Sequence, residues 1–116
     1  MGLRAIATHW SDDAETALTR LRRNEGSNPH AKSIVRRVET LVAALPADLL
    51  HGEVVTKPLP RELVAKYGVD NLFVEDLPSF WRLIYSIARE GNERHLVILE
   101  IVDHSIYDRW FPSRSR

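Results

Sequence analysis

The sequence predicts an α+β domain in which an N-terminal helical hairpin packs on a small twisted antiparallel β-sheet, closed by a short C-terminal helix. Three observations predict it. Two amphipathic helical patterns lie between residues 12 and 45, and the loop of about five residues between them sets the pair antiparallel. Alternating and apolar runs follow between residues 72 and 102, with Gly91-Asn92 as a hairpin turn. Helices grouped before strands argue for α+β, with the hairpin on one sheet face.

Residues 3–9 (LRAIATH) give a short first strand, with Leu3, Ala5 and Ala7 alternating against Arg4, Ile6 and Thr8. A helix follows. Asp12 and Glu15 have capping-box spacing, and Ala14, Ala17, Leu18 and Leu21 recur at helical intervals. Asn24-Glu25-Gly26-Ser27 ends it. Asn28 then caps a second helix, whose first position suits Pro29 because its missing N–H costs nothing there. Ala31, Ile34, Val35, Val38, Leu41, Val42 and Leu45 form one apolar stripe, and Pro46 stops it.

Residues 53–57 (EVVTK) read as a strand leading into a turn bounded by Pro58 and Pro60. Pro60 starts a short helix, PRELVAKY, with Gly68 as its C-cap. Along 72–77, Leu72, Val74 and Asp76 point one way and Phe73, Glu75 and Leu77 the other. After the Pro78-Ser79 turn, Trp81, Leu83, Tyr85 and Ile87 share a face opposite Arg82, Ile84 and Ser86. The run Leu96–Val102 is apolar on both faces, which marks a central strand covered on each side. Asp103 caps a final helical turn through Tyr107 and Trp110, ending at Pro112.

At 116 residues the chain reads as one domain, 1–116, large enough to bury a real core. No apolar run nears the roughly 20 residues of a membrane span, and MGLRAIATHW lacks a signal-peptide core, so no membrane association is expected. There is no cysteine, which excludes disulfide and thiol chemistry and suits a cytoplasmic protein. Sixteen basic and sixteen acidic side chains give zero net charge, which counts against tight, unaided RNA binding. The charges are nevertheless segregated, with Arg20, Arg22 and Arg23 together and SRSR at the end. No glycine-rich phosphate loop, metal-ligand spacing or nucleophile elbow occurs, so neither cofactor nor metal is expected.

The chemistry-bearing residues gather near the last two strands. Arg82 is a lone arginine amid apolar residues, and His104, Tyr107 and Arg109 follow the second strand. Metal-free RNA cleavage needs an activated 2′-hydroxyl, a stabilised phosphorane and a protonated leaving group, which a base, a fixed cation and an acid supply. Arginine suits the cation because its planar fork grips phosphate and never deprotonates. The alternative for Arg82 is a pair with Asp76 or Glu75. An isolated histidine titrates at about 6.5, so His104 serves as acid or base, or else simply opens the helix. Tyr107 shares its helical face and either contacts substrate or sits at the core edge. Lys57, Arg61 and Arg109 are candidate backbone contacts or merely solvated cations. Glu75 is either a general base or a partner for a cation.

WRLIYSI (81–87), ILEIVDHSIYDRWF (98–111) and PRELVAKYGVDNLFVEDLP resemble the RelE/ParE toxin superfamily of bacterial and archaeal toxin–antitoxin pairs. The likeness covers roughly residues 28 to 111. It is best to the RelE-like branch ending in a histidine-spacer-tyrosine segment followed by an aromatic residue. The resemblance implies a twisted antiparallel sheet with an N-terminal helical hairpin. RelE-like members cut messenger RNA in the ribosomal A site without metal; ParE-like members inhibit DNA gyrase. An antitoxin silences both.

On that resemblance the chain is expected to be a type II toxin and a metal-free, ribosome-dependent mRNA endoribonuclease. Arg82, His104 and Tyr107 would be catalytic, with Lys57, Arg61 and Arg109 binding substrate. Its partners would be a cognate antitoxin, in a toxin–antitoxin hetero-oligomer, and ribosome-bound mRNA. The alternatives are a ParE-like toxin that inhibits gyrase by protein contact, or a degenerate antitoxin-binding scaffold. The segment departs from active nucleases in lacking a second histidine or lysine cluster, since His9, His30, His51 and His95 are scattered. The antitoxin is expected on the outer face of the hairpin or beside the closing helix at Trp110 and Phe111, with Phe111 folded back onto the sheet.

Overall fold

Along residues 3–112, the part described by the structure, a computed structural model, local signals resolve into alternating short strands and helices. Strand β1 (Ala7–Trp10) leads into helices α1 (Asp12–Arg23) and α2 (Pro29–Ala44). Strand β2 (Glu53–Val54), helix α3 (Arg61–Tyr67), strands β3 (Phe73–Asp76), β4 (Arg82–Glu90) and β5 (Glu93–Val102) and helix α4 (His104–Trp110) follow. The terminal arginines of SRSR lie outside the described residues.

Helix α1 begins at a different cap from the one its spacing suggested. Ser11, not Asp12, is the N-cap: its Oγ accepts from the Ala14 N–H at 3.0 Å and donates to the Leu99 carbonyl at 2.5 Å. One hydroxyl closes the helix end and ties it to β5, so Asp12 and Glu15 form no capping box. They lie instead in the first turn, where the helix dipole favours acids. Helix α2 starts as read, with Asn28 accepting from the His30 N–H at 2.9 Å and Pro29 first in the helix.

The strands form one five-stranded sheet in the order β1-β5-β4-β3-β2. Four of them make the expected antiparallel ladders, but β1 runs parallel to β5, from Ala7 opposite His95 to Trp10 opposite Ile98. The sheet is therefore mixed, and β1 is shorter than residues 3–9. Upstream of it the backbone bonds elsewhere: Ala5 N–H to the Pro46 carbonyl at 2.7 Å, and Leu49 N–H to the Leu3 carbonyl at 2.9 Å. Strand β2 is also shorter than residues 53–57, ending at Val54, although the Val55 N–H still donates to the Leu72 carbonyl at 2.9 Å.

The alternation read from β3 and β4 holds. Phe73, Leu77, Leu83, Tyr85, Leu96 and Ile98 pack against the α1–α2 hairpin. On the other face, Leu72, Val74, Ile84, Leu99 and Val102 pack against Leu63 of α3 and Tyr107 and Phe111 of α4's end. Helices thus cover both faces, as the apolar β5 requires. A bulge interrupts β5: Ile84 pairs with Glu100 while Tyr85 pairs with Ile98. The extra residue puts both Leu99 and Glu100 on the α3 face. Without it Glu100 would point into the hairpin core.

Tyr85 pins the hairpin face. Its hydroxyl donates to the Leu49 carbonyl at 2.7 Å and accepts from the Gly52 N–H at 3.0 Å. Burial pushes its phenol up to about 12. A Cβ on Gly52 would stand 2.8 Å from that hydroxyl, so the close approach requires glycine.

Candidate functional site

The candidate residues converge where β4 begins and β5 ends. Arg82 opens β4, opposite Val102 of β5 and Asp76 of β3. Its guanidinium is held on three sides. Nε lies 3.0 Å from Asp76 Oδ1, Nη1 donates to the Trp81 carbonyl at 3.1 Å, and the carbon centre stands 5.0 Å over the Tyr107 ring. Only 20% of the side chain is exposed, against 86% for Asp76. Such an exposed carboxylate contributes about 0–1 kcal/mol to the pair.

Of the two carboxylates considered for Arg82, the pleat selects Asp76. Glu75 points to the hairpin face, where His51 Nδ1 lies 2.6 Å from its Oε2. That hydrogen bond, reinforced by the Glu75 charge, raises the His51 imidazole above its ordinary 6.5.

Tyr107 is buried at 3% exposure and stacks on Phe111 with ring centres 4.8 Å apart. It supports Arg82 from below and offers little surface to a ligand. Phe111 is folded back, as read. His104 opens α4 after its cap Asp103, whose carboxylate accepts from the Ser105 N–H and hydroxyl and the Ile106 N–H. The Ser105 hydroxyl bond holds the Asp103 carboxyl below the usual range. His104 is exposed, and its ring meets the Phe80 ring edge-on at 6.2 Å.

Arg82 and Tyr107 are thus brought together, with His104 two residues beyond the ladder partner of Arg82. The remaining cations are spread out. Lys57 lines a cleft of about 350 Å³ with Pro58, Pro60, Trp110 and Phe111. Arg61 is exposed at the start of α3, and Arg109 is exposed in the last turn of α4.

Phe80 was not legible as a site residue. Its ring is 71% exposed, and Ser79 and Phe80 both have positive φ, 60° and 64°. Left-handed backbone costs a non-glycine residue about 1 kcal/mol or more. Pro78-Ser79 marks a turn, but no glycine or asparagine announces that conformation. A cavity of about 380 Å³ opens beside this turn, between the hairpin and the start of α4.

A second polar cluster lies on the α3 face. Lys66 Nζ contacts Asp13 and, at 3.0 Å, Glu100; the Tyr67 hydroxyl donates to Glu100 and also lies 3.0 Å from the Leu99 carbonyl. Burial acts to lower the Lys66 ammonium, but hydrogen bonds to Asp13 and Glu100 outweigh it and hold the group well above its usual value. Burial and the Glu100 bond push the Tyr67 phenol up as well. Both move away from neutrality, so neither suits proton transfer near pH 7. The cluster ties α1, α3 and β5 together.

Among the described residues, no helix is long and apolar enough to cross a membrane. Residues 9–106 match the family described as the ParE toxin of the type II toxin–antitoxin system, parDE. Among solved structures, the YoeB/ParE toxin from Agrobacterium tumefaciens is similar, with a TM-score of 0.57 and 12% identity over 85% of this chain and 99% of that one. At that identity the likeness speaks for the fold alone. No curated protein matches the chain significantly.

Proposed function

Because the chain belongs to the ParE toxin family of type II toxin–antitoxin systems, we propose that it stops growth by gripping a protein target rather than by cutting RNA. DNA gyrase is the target that the ParE-like branch implies, and family membership implies a cognate antitoxin. The carrying observation is the state of Arg82. A phosphoryl-transfer cation must meet the charge that develops on phosphate. Here the Asp76 carboxylate already sits 3.0 Å from the guanidinium, and Tyr107 covers one of its faces. A carboxylate there opposes an incoming phosphate. Zero net charge points the same way.

A ribosome-dependent mRNA endoribonuclease is the second reading, and one observation favours it. His104 is exposed at the same sheet end as Arg82, and Asp76, itself 86% exposed, holds the arginine weakly enough for phosphate to displace it. Under this reading Arg82 and His104 act on the phosphodiester and Tyr107 orients Arg82, while Lys57, Arg61 and Arg109 contact the RNA backbone.

The test is induced expression of wild type, Arg82→Ala and His104→Ala, with mapping of mRNA ends on ribosomes and a gyrase supercoiling assay. All three are expected to arrest growth and inhibit supercoiling without new mRNA ends at ribosome-occupied codons. New ends in wild type that fall by about 10²-fold or more in Arg82→Ala, the effect of losing one transition-state donor, would replace this reading with the nuclease. A wild type that arrests nothing leaves only the antitoxin-binding scaffold.

A further inference from the structure

We propose that the solvent face of the α1–α2 hairpin holds duplex DNA by its phosphate backbone, without reading sequence. The inference rests on the protein-contact reading only in choosing DNA as the duplex, because gyrase is an enzyme of duplex DNA.

The zero net charge of the chain hides a strong segregation. Residues 20–37 carry six basic side chains, Arg20, Arg22, Arg23, Lys32, Arg36 and Arg37, against one acid, Glu25. All six are exposed. Arg22 is paired with Glu39 at 3.1 Å, and the other five have no ion pair among the described residues. The Arg22–Glu39 contact sets the last turn of α1 beside α2, so the cations share one stretch of the hairpin. Lys32 and Arg36, four residues apart, lie on one side of α2, away from its buried Ile34, Val35 and Val38.

The helix dipole accounts for only half of them. Arg20, Arg22 and Arg23 fall in the last turn of α1, where cations are favoured. Lys32, Arg36 and Arg37 lie in the body of α2, whose last turn has no basic residue. Nearby acids do not cancel the surplus. Glu15 shares a shallow surface with Arg20 and Arg23, Glu39 is taken up by Arg22, and Glu25 is half-buried in the loop. Counting all three acids still leaves three cations in excess.

What the face lacks selects its partner. The exposed large apolar side chains of the described residues are Ile6, Leu50, Val54, Val64 and Phe80, and none lies on the hairpin. Protein interfaces are built on apolar and aromatic anchors, so charge alone is a poor grip for a protein. Residues 11–47 contain no Phe, Tyr or Trp, so the face has no ring of that kind on which to stack the bases of a single strand. Exposed arginines and lysine without anchors or stacking rings fit the phosphates of a duplex, contacts that fix position and carry no sequence information. A toxin gripping gyrase works beside such a duplex.

The test is fluorescence anisotropy of the purified toxin with a short labelled DNA duplex of mixed sequence, repeated across a salt series. Three to five neutralised phosphates predict that log K falls against log salt with a slope of about −2.7 to −4.5. Arg23→Gln, Lys32→Gln and Arg36→Gln combined should weaken binding at least 10-fold and flatten the slope by about 1 per substitution. Glutamine suits a helix, so the melting temperature should not move. Arg89→Gln, at the far end of β4, should bind as wild type does. A wild type that binds no duplex, or a triple variant that binds like wild type, would overturn the inference. Tighter binding to a single strand, to duplex RNA or to phosphatidylserine vesicles would give the face to that ligand and overturn it too. No gyrase enters this measurement. A wild type that inhibits supercoiling without binding DNA sinks this inference alone, whereas one that binds DNA without inhibiting supercoiling sinks the protein-contact reading alone.

Discussion

Each face of the sheet buries one carboxylate, and the two are handled differently. On the hairpin face Glu75, 6% exposed, is met by His51, whose imidazole the hydrogen bond between them raises above its ordinary 6.5 and whose side chain is 53% exposed. On the opposite face Glu100, 5% exposed, is met by Lys66 and Tyr67, whose protonation does not change near pH 7. Burying a carboxylate costs several kcal/mol unless it is paired and hydrogen-bonded. The lesson is that the same cost is offset by a pH-dependent partner on one face and a pH-independent one on the other.

The largest effect should come from Glu100→Ala, which removes two hydrogen bonds to a buried carboxylate and leaves Lys66 with Asp13 and the Tyr67 hydroxyl with the Leu99 carbonyl. It should lower unfolding stability by about 2 to 3 kcal/mol, read by urea titration. Glu75→Ala should cost clearly less, because His51 can release its proton and face water; equal losses would break the comparison. Next, Tyr85→Phe leaves the Leu49 carbonyl and Gly52 N–H without partners on the hairpin face. It should cost about 2 kcal/mol.

A smaller effect concerns pH. The folded-state pKa of His51 is raised above 6.5, so its contribution to stability is full below 6.5 and is lost as pH rises through the folded value. Wild type should therefore lose stability on that rise, and His51→Gln should flatten the slope, both followed by thermal melts across the range. A slope unchanged in His51→Gln would assign the pH response elsewhere. The smallest effect is expected for Asp76→Asn, within about 0.5 kcal/mol, as for other exposed pairs. A larger loss would mean that Arg82 depends on its carboxylate more than on the Tyr107 ring beneath it.

The sequence carried the elements whose signals are local. The stripe of α2, its Asn28-Pro29 start and the two-faced β5 were readable because burial of one face imposes a period. Strand direction is not local, so nothing in ATHW announced that β1 would pair parallel with β5. The bulge at Leu99 and Glu100 has no glycine to mark it, and only the β4 register exposes it. At the site, Arg82 was picked out by its apolar setting, and one of its two possible carboxylates proved to be its partner. Phe80 was missed because an exposed aromatic in a turn looks like any other turn residue until its backbone angle is known.

The link between Ser11 and Leu99 spans 88 residues. During synthesis at about 5–20 residues per second, that separation is a delay of roughly 4 to 18 seconds. Over that interval β1 has left the ribosome without a neighbour, and the apolar stripes of α1 and α2 have no sheet to cover them. The sheet end bearing Arg82, His104 and Phe80 therefore takes shape only once β5 has been made, well after helices α1 and α2.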